Sequence, residues 1–228
     1  MYFPWVGFFE QFLLSDIFVY YNDVQFTRGF FNRIQLKKSS TTSIWMSIPL
    51  KEVRKRKLIN EMEIDNSLPW QSKHRNLLKS HLRKGKYLND ALCLLDNLFQ
   101  NEFTYLDEIT IKSIELVVDY YKLKVPLKIL KSSQLSSVGS GTERLVSICK
   151  YFNANCYITG HGAYNYLDQN SFHKCDINVY YMKYNLPEYD QCFPNFTPFV
   201  SVLDLVANMG KSGRPFLCPN KIPSHYES

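Results

Sequence analysis

The chain has 228 residues, of which 45% are hydrophobic, 15% aromatic and 21% charged, and its 27 Lys and Arg outnumber 21 Asp and Glu for a net charge of +6. This composition supports one large globular domain with a substantial core and excludes a low-complexity or disordered chain. No apolar run reaches the roughly 18 residues that a membrane span requires, and the surplus positive charge favours an anionic partner: a nucleotide, a phosphosugar, nucleic acid or an acidic surface.

In chain order, Pro4 opens a short helix over 6–14, and the apolar run 17–21 reads as a strand covered on both faces. Ile44–Leu50 is a second strand, stopped by Pro49. Residues 51–86 hold eleven Lys or Arg against four acids, and 51–122 reads as a basic, helix-rich subdomain within a single 1–228 domain. Its helices fall from Ser72, as cap, to about Arg83, then about 89–99, then 104–121, where Leu106, Ile109, Ile114, Val117 and Tyr121 form one stripe. A strand over 125–130 precedes Ser140-Gly141-Thr142-Glu143, a capping-box pattern for the next helix. Cys156–Thr159 is a buried strand, Gly160-His161-Gly162 turns into a short helix, and Ile177, Val179 and Tyr181 alternate as a strand. Ser201–Met209 is a last helix stopped by Gly210, beyond which the chain reads as irregular. Strands alternating with helices predict an α/β fold with a mostly parallel sheet.

Six cysteines, none in a Cys-x-x-Cys pair, read as thiols in a reducing cytoplasm and imply neither a disulfide framework nor a zinc site. Four constellations carry candidate chemistry. Pro4-Trp5-Val6-Gly7 is either a packing turn or a helix start that holds phosphate. Asp23, Gln25, Asn32 and Arg33 follow the first strand, where α/β proteins bind ligands. A carboxylate, two amides and a guanidinium there suit a sugar phosphate, or else form an exposed loop. Lys73, His74, Arg75, Lys79, Arg83, Lys84 and Lys86, of which Arg75, Lys79 and Arg83 share a face at helical spacing, are a solvated face or an anion channel, and no nucleic-acid motif accompanies them. Gly160-His161-Gly162 after a buried strand exposes backbone N–H groups to an anion and offers His161 as an acid or base, or is a structural turn. Asn165 occupies the place of the third glycine of a dinucleotide fingerprint, which argues against NAD. Asp204 reads as a first-turn charge that complements its helix dipole.

Taken together and in order, these runs resemble the WbqC-like proteins of bacteria, often encoded among genes for surface polysaccharides such as O-antigen. The marks are Tyr2-Phe3-Pro4-Trp5-Val6-Gly7-Phe8-Phe9, Asp16 through Phe26, Asn32-Arg33, Trp70 to Leu88 with Lys73 and His74, Glu143-Arg144-Leu145, Tyr157-Ile158-Thr159-Gly160, Tyr166-Leu167 and Ser201-Val202-Leu203-Asp204-Leu205. Relatives usually carry a short strand with a His-Gln-Pro run before the Tyr-x-Pro-Trp motif, so the resemblance implies either a start upstream of Met1 or a sheet without its first strand. With the cysteine usage, the expectation is a cytoplasmic enzyme of surface-polysaccharide biosynthesis that modifies a nucleotide-linked sugar by ATP-dependent acyl or aminoacyl transfer, with ATP and magnesium as candidate cofactors. A looser likeness to adenylate-forming α/β folds such as pantothenate synthetase would give Gly7 and the helix after it to nucleotide phosphate, with Pro4 and Trp5 among the expected binding residues. It would give Gln25 to a small substrate and Arg33 or the basic helix to phosphates. The expected set is Asp23, His74 and Arg33 for catalysis, with Asn32, Lys73, Arg144, Gly160, His161 and Gly162 joining the binding residues, and no metal ligands. A non-catalytic partner of a polysaccharide assembly complex is the alternative, as is a nucleic-acid module on 51–86.

Overall fold

The computed structural model describes residues 1–53, 56–184 and 186–217. Trp5, with extended backbone, precedes helix α1 (Val6–Leu14), which buries Val6, Phe9 and Phe12 on one side. Phe12 meets Phe18 edge-on at 4.8 Å, so α1 packs against the strand that follows it. That strand, β1 (Ile17–Tyr20), pairs in parallel with β4 (Lys128–Lys131), Tyr20 standing opposite Lys131. The carboxyl ends of both strands therefore open at one edge. β2 (Arg33–Lys37) and β3 (Ser43–Ser47) form an antiparallel hairpin. β5 (Cys156–Thr159) and β6 (Asn178–Tyr181) form a second parallel pair.

The protein is α/β, and among the described residues two of its three strand pairs are parallel. They remain separate pairs rather than one continuous sheet. Each strand has only four or five residues. One β5 carbonyl that a neighbouring strand would use, that of Ile158, accepts instead from the Gln11 amide of α1 at 3.2 Å.

Helices α2 (Trp70–His81), α3 (Leu88–Phe99) and α4 (Leu106–Tyr121) follow the hairpin, and α5 (Gly141–Tyr151), α6 (Gln169–His173) and α7 (Val202–Met209) complete the set. One large core joins Tyr2, Phe3, Phe9, Leu36, Met46, Leu78, Leu95, Ile114 and Leu203, drawing on α1, the hairpin, α2–α4 and α7. A smaller one gathers Val146, Cys149, Leu167, Phe172 and Ile177 around β5 and β6.

Several local expectations are corrected. β2 was not anticipated, although Arg33-Ile34-Gln35-Leu36-Lys37 alternates and buries Ile34 and Leu36. The strand expected over 44–50 ends at Ser47, where Ile48 instead donates to the Asn32 carbonyl (2.8 Å). Pro69, not Ser72, precedes α2, and Ser72 bonds back to the Pro69 carbonyl. α2 stops at His81, so Arg83 lies beyond it, and Arg75 is engaged by Asp96 at 2.9 Å. The Ser140 side chain makes no capping bond; Glu143 lies against Gly139 instead. Gly210–Phe216 forms 3-10 turns rather than irregular chain. Arg54 and Lys55 of the basic run, Cys218 and the rest of the tail lie outside the described residues.

The Pro4–Gly7 turn shows why glycine stands at position 7. A β-carbon there would sit 2.4 Å from the Trp5 indole. Gly7→Ala is expected to displace that ring and cost about 1–3 kcal/mol through overpacking, read as a lowered Tm.

Candidate functional site

The carboxyl ends of β1 and β4 carry the most concentrated polar cluster joined to the expected site residues. Because the two strands run in parallel register, Asn22 and Asp23 arrive beside Ser132. The Asp23 carboxylate accepts from the Ser132 hydroxyl with one oxygen and from the Arg144 guanidinium with the other. Arg144, on the first turn and a half of α5, also donates through Nε to Ser137 (3.1 Å) and lies over the Tyr21 ring at 5.6 Å. Both members of the ion pair are about one-sixth exposed, at 17% and 16%. They are desolvated enough for the pairing to matter, yet open on one side.

Beneath this pair the polar groups are joined to one another. Asn22 donates to Asp107 (2.9 Å) and accepts from the Ser133 N–H (3.2 Å). Lys131 reaches the same Asp107 oxygen at 3.1 Å. Asp107 is buried in the first turn of α4, where a negative charge complements the helix dipole. The base of the site is thus a rigid hydrogen-bonded floor, and the Asp23–Arg144 pair is its outer layer.

The second parallel pair meets the first here. The Tyr21 hydroxyl is pushed above its ordinary pKa by burial; Arg144 opposes this, and Asp23 and Tyr166 add to it. The backbone of Asp168 donates to Thr142 at the start of α5 (3.1 Å), tying the segment after Gly160 to the helix that carries Arg144. Tyr164 and Tyr166 in that segment are largely exposed.

Farther along the same face, Gly160 lies under Tyr184. A β-carbon on Gly160 would stand 3.0 Å from the Tyr184 hydroxyl. Tyr184 meets the Trp5 ring edge-on at 4.7 Å, and Phe199 packs on Trp5 at 5.6 Å. Burial, reinforced by Glu10, pushes the Tyr184 hydroxyl up to about 12, so it stays protonated and able to donate.

The structure therefore brings together Asp23 and Arg144, and it links the Pro4–Gly7 turn to Gly160 through Tyr184. His161 and Gly162 stand exposed at the end of β5. The other expected residues lie elsewhere. Asn32 and Arg33 belong to the hairpin: Asn32 donates to the Ile48 carbonyl (2.8 Å), while Arg33 donates to the Gly29 carbonyl and stacks on Trp45 at 4.2 Å. Gln25 is exposed, with its backbone bridged to Leu58. Lys73 borders an open depression of about 350 Å³ along α2, lined by Pro69, Ser72, Asn76, Leu77 and Ser80. None of those residues shares a hydrogen bond with the Asp23 cluster among the described residues. His74 is 1% exposed; Nδ1 meets the Tyr2 hydroxyl (3.1 Å) and Nε2 the Ser47 carbonyl (2.9 Å). Both ring nitrogens are committed inside the core.

Ser132, Ser137, Asp107 and Lys131 were missed in the sequence. For the two serines the signal was the serine- and glycine-rich stretch Ser132–Gly141 between a strand and a helix, a setting in which loops bind ligands; Asp107 and Lys131 carried none. Among the described residues no three His, Cys, Asp or Glu side chains are grouped to hold a metal ion. No helix there is long and apolar enough to cross a membrane.

These features define an α/β protein with a polar, aromatic-flanked face at the carboxyl ends of two parallel strand pairs. The chain belongs to the WbqC-like protein family, whose model matches residues 1–215. It is also similar to the uncharacterized protein Rv1507c of Mycobacterium tuberculosis (strain ATCC 25618 / H37Rv). The two are 27% identical over 220 residues, covering 95% of this chain and 94% of the relative. No solved structure matches.

Proposed function

We propose that this protein is an enzyme of surface-polysaccharide biosynthesis that binds an anionic nucleotide or nucleotide-linked sugar on the face formed by Asp23, Arg144 and Gly160. In this reading ATP activates a carboxylic or amino acid with release of pyrophosphate or ADP, and the activated acyl group passes to the sugar as AMP or phosphate, respectively, leaves. The observation that carries the reading is the Asp23–Arg144 pair at the carboxyl ends of β1 and β4. A guanidinium presents donors in a fork that fits phosphate as well as carboxylate. An incoming phosphate competes with Asp23 for Arg144. The carboxylate so released is a base within reach of the bound acceptor, and takes the proton of the hydroxyl or amine that is acylated. Tyr21 lies against the guanidinium and suits a planar base. Gly160 and Gly162 leave their backbone N–H groups open to a second anionic group.

The test is a thermal-shift series with ATP, UDP-sugars and dTDP-sugars, each with and without magnesium. A ligand held only by the folded state at one hundred times its Kd adds about 2.7 kcal/mol, which for a chain of this size is a rise of several degrees. One nucleotide class is expected to give that rise, and Arg144→Ala to abolish it. Arg144→Ala also leaves Asp23 unpaired, so its unliganded Tm should fall by an amount that Asp23→Asn in the same chain partly restores. Absence of any ligand shift would end the nucleotide reading.

A further inference from the structure

Lys37 is the last residue of β2, and it is 2% exposed. An ammonium has three donors and no acceptor, and a buried one is tolerated only when every donor is used. All three are used on a single segment. Lys37 donates to the Gln191 side-chain oxygen (3.0 Å), to the Phe193 carbonyl (2.9 Å) and to the Asn195 carbonyl. Asn195 has φ +63, in the left-handed region, so the backbone bends sharply as it passes round the ammonium.

Gln191 carries the effect onward. Its oxygen accepts from the Thr197 N–H (3.0 Å), and its amide donates to the Thr197 carbonyl (2.9 Å) and to Asp204 (3.0 Å). Two residues later Phe199 lies on Trp5. Ser201 then donates from its N–H to the Gln35 carbonyl (2.8 Å) and from its hydroxyl to the Phe3 carbonyl (3.0 Å). Val202 donates to the Pro4 carbonyl (3.0 Å). The segment is pinned to β2 at one end and to the Phe3–Pro4 backbone at the other. Phe199, 63% exposed, has no other ring partner among the described residues that would hold it on Trp5.

We infer that Lys37 is a positioning residue. Its buried ammonium folds residues 191–197 into a strap, and the strap sets Phe199 against Trp5 and so shapes the aromatic wall beside Tyr184 and Gly160. The role in shaping a ligand face rests on the proposed function above; the strap and its anchor do not. Lys37 touches no ligand in this scheme. It acts through Gln191, Thr197 and Phe199.

The experiment uses the full chain labelled with 5-fluorotryptophan, which gives one fluorine resonance for each of the three tryptophans, that of Trp5 being assigned with Trp5→Phe. Lys37→Met keeps the length of the side chain and removes the charge. Its expected result is a shifted or broadened Trp5 resonance with the Trp45 and Trp70 resonances in place. Amide exchange at Thr197 should accelerate at least tenfold while Leu94 and Ile114 in α3 and α4 keep wild-type protection. Gln191→Leu, which leaves Lys37 in place and cuts the link to Thr197, should give the same pattern and serves if Lys37→Met fails to fold. An unchanged Trp5 resonance and unchanged Thr197 exchange in a folded variant would overturn the inference. In a parallel nucleotide titration, wild-type protein that binds nothing would defeat the functional reading alone. A wild-type affinity left intact in a variant whose strap has loosened would show that the strap does not shape the ligand face.

Discussion

Asp204→Asn is expected to stabilise the protein relative to wild type progressively as pH rises from about 4 to 7. Asp204 is wholly buried in α7. One carboxylate oxygen accepts from Tyr189 (2.9 Å), Gln191 (3.0 Å) and Asn208 (3.2 Å), and the other has no hydrogen-bond partner. Burial pushes its pKa up from 3.8 to about 6, against the opposing pull of those hydrogen bonds and of Lys37. The folded state therefore holds a proton that the unfolded chain releases. Stability from this group is complete below pH 3.8 and is lost as pH rises through 6. The gap corresponds to roughly 3 kcal/mol, or about 5–10 °C in Tm for a chain of this size. Tm measured at half-unit steps from pH 4 to 7.5 should show the variant-minus-wild-type difference growing by that amount. A difference independent of pH would mean that Asp204 ionises normally in the folded protein.

His74→Gln is expected to change the same profile with the opposite sign. Burial drives His74 down from 6.5 to about 4, and the charge of Lys73 adds to this, although the hydrogen bond to the Ser47 carbonyl works the other way. The neutral ring is what the core accepts. Stability from His74 is therefore present above pH 6.5 and is lost as pH falls towards 4, by about 3 kcal/mol. Gln can still accept from Tyr2 and donate to Ser47 without titrating. Wild type should consequently lose stability on acidification more steeply than His74→Gln. In the interval from pH 4 to 6 the Asp204 and His74 contributions run against each other. Each single variant should expose the slope that its partner residue conceals, and the double variant should return to an intermediate profile. Equal acid slopes in wild type and His74→Gln would show that the ring is protonated in the fold at no cost.

The two residues show where reading the chain in one dimension stops. His74 beside Lys73 on a basic helix had the look of a candidate base. Helical spacing puts it on the face with Trp70 and Leu78, all three buried, and only the hairpin packed across that face supplies Ser47. Asp204, placed like a helix-dipole charge, is instead enclosed by residues of β2 and of the 189–197 segment. Nothing local to α7 announces that enclosure.

What the sequence determined by itself was whatever rests on short-range periodicity and punctuation. The cores of six helices were legible in apolar spacing, Gly210 as the stop of α7, β5 to the residue, and the α/β class from the alternation of elements. Tertiary structure decided which polar groups meet. Asp23 joins Arg144, 121 residues away in the chain, because β1 and β4 pair in parallel and α5 follows β4. Asn32 and Arg33, only nine and ten positions after Asp23, go to a hairpin instead. Secondary structure follows from interactions spanning three or four residues. A site at strand ends depends on register between distant segments, and that register is set by burial of the whole core.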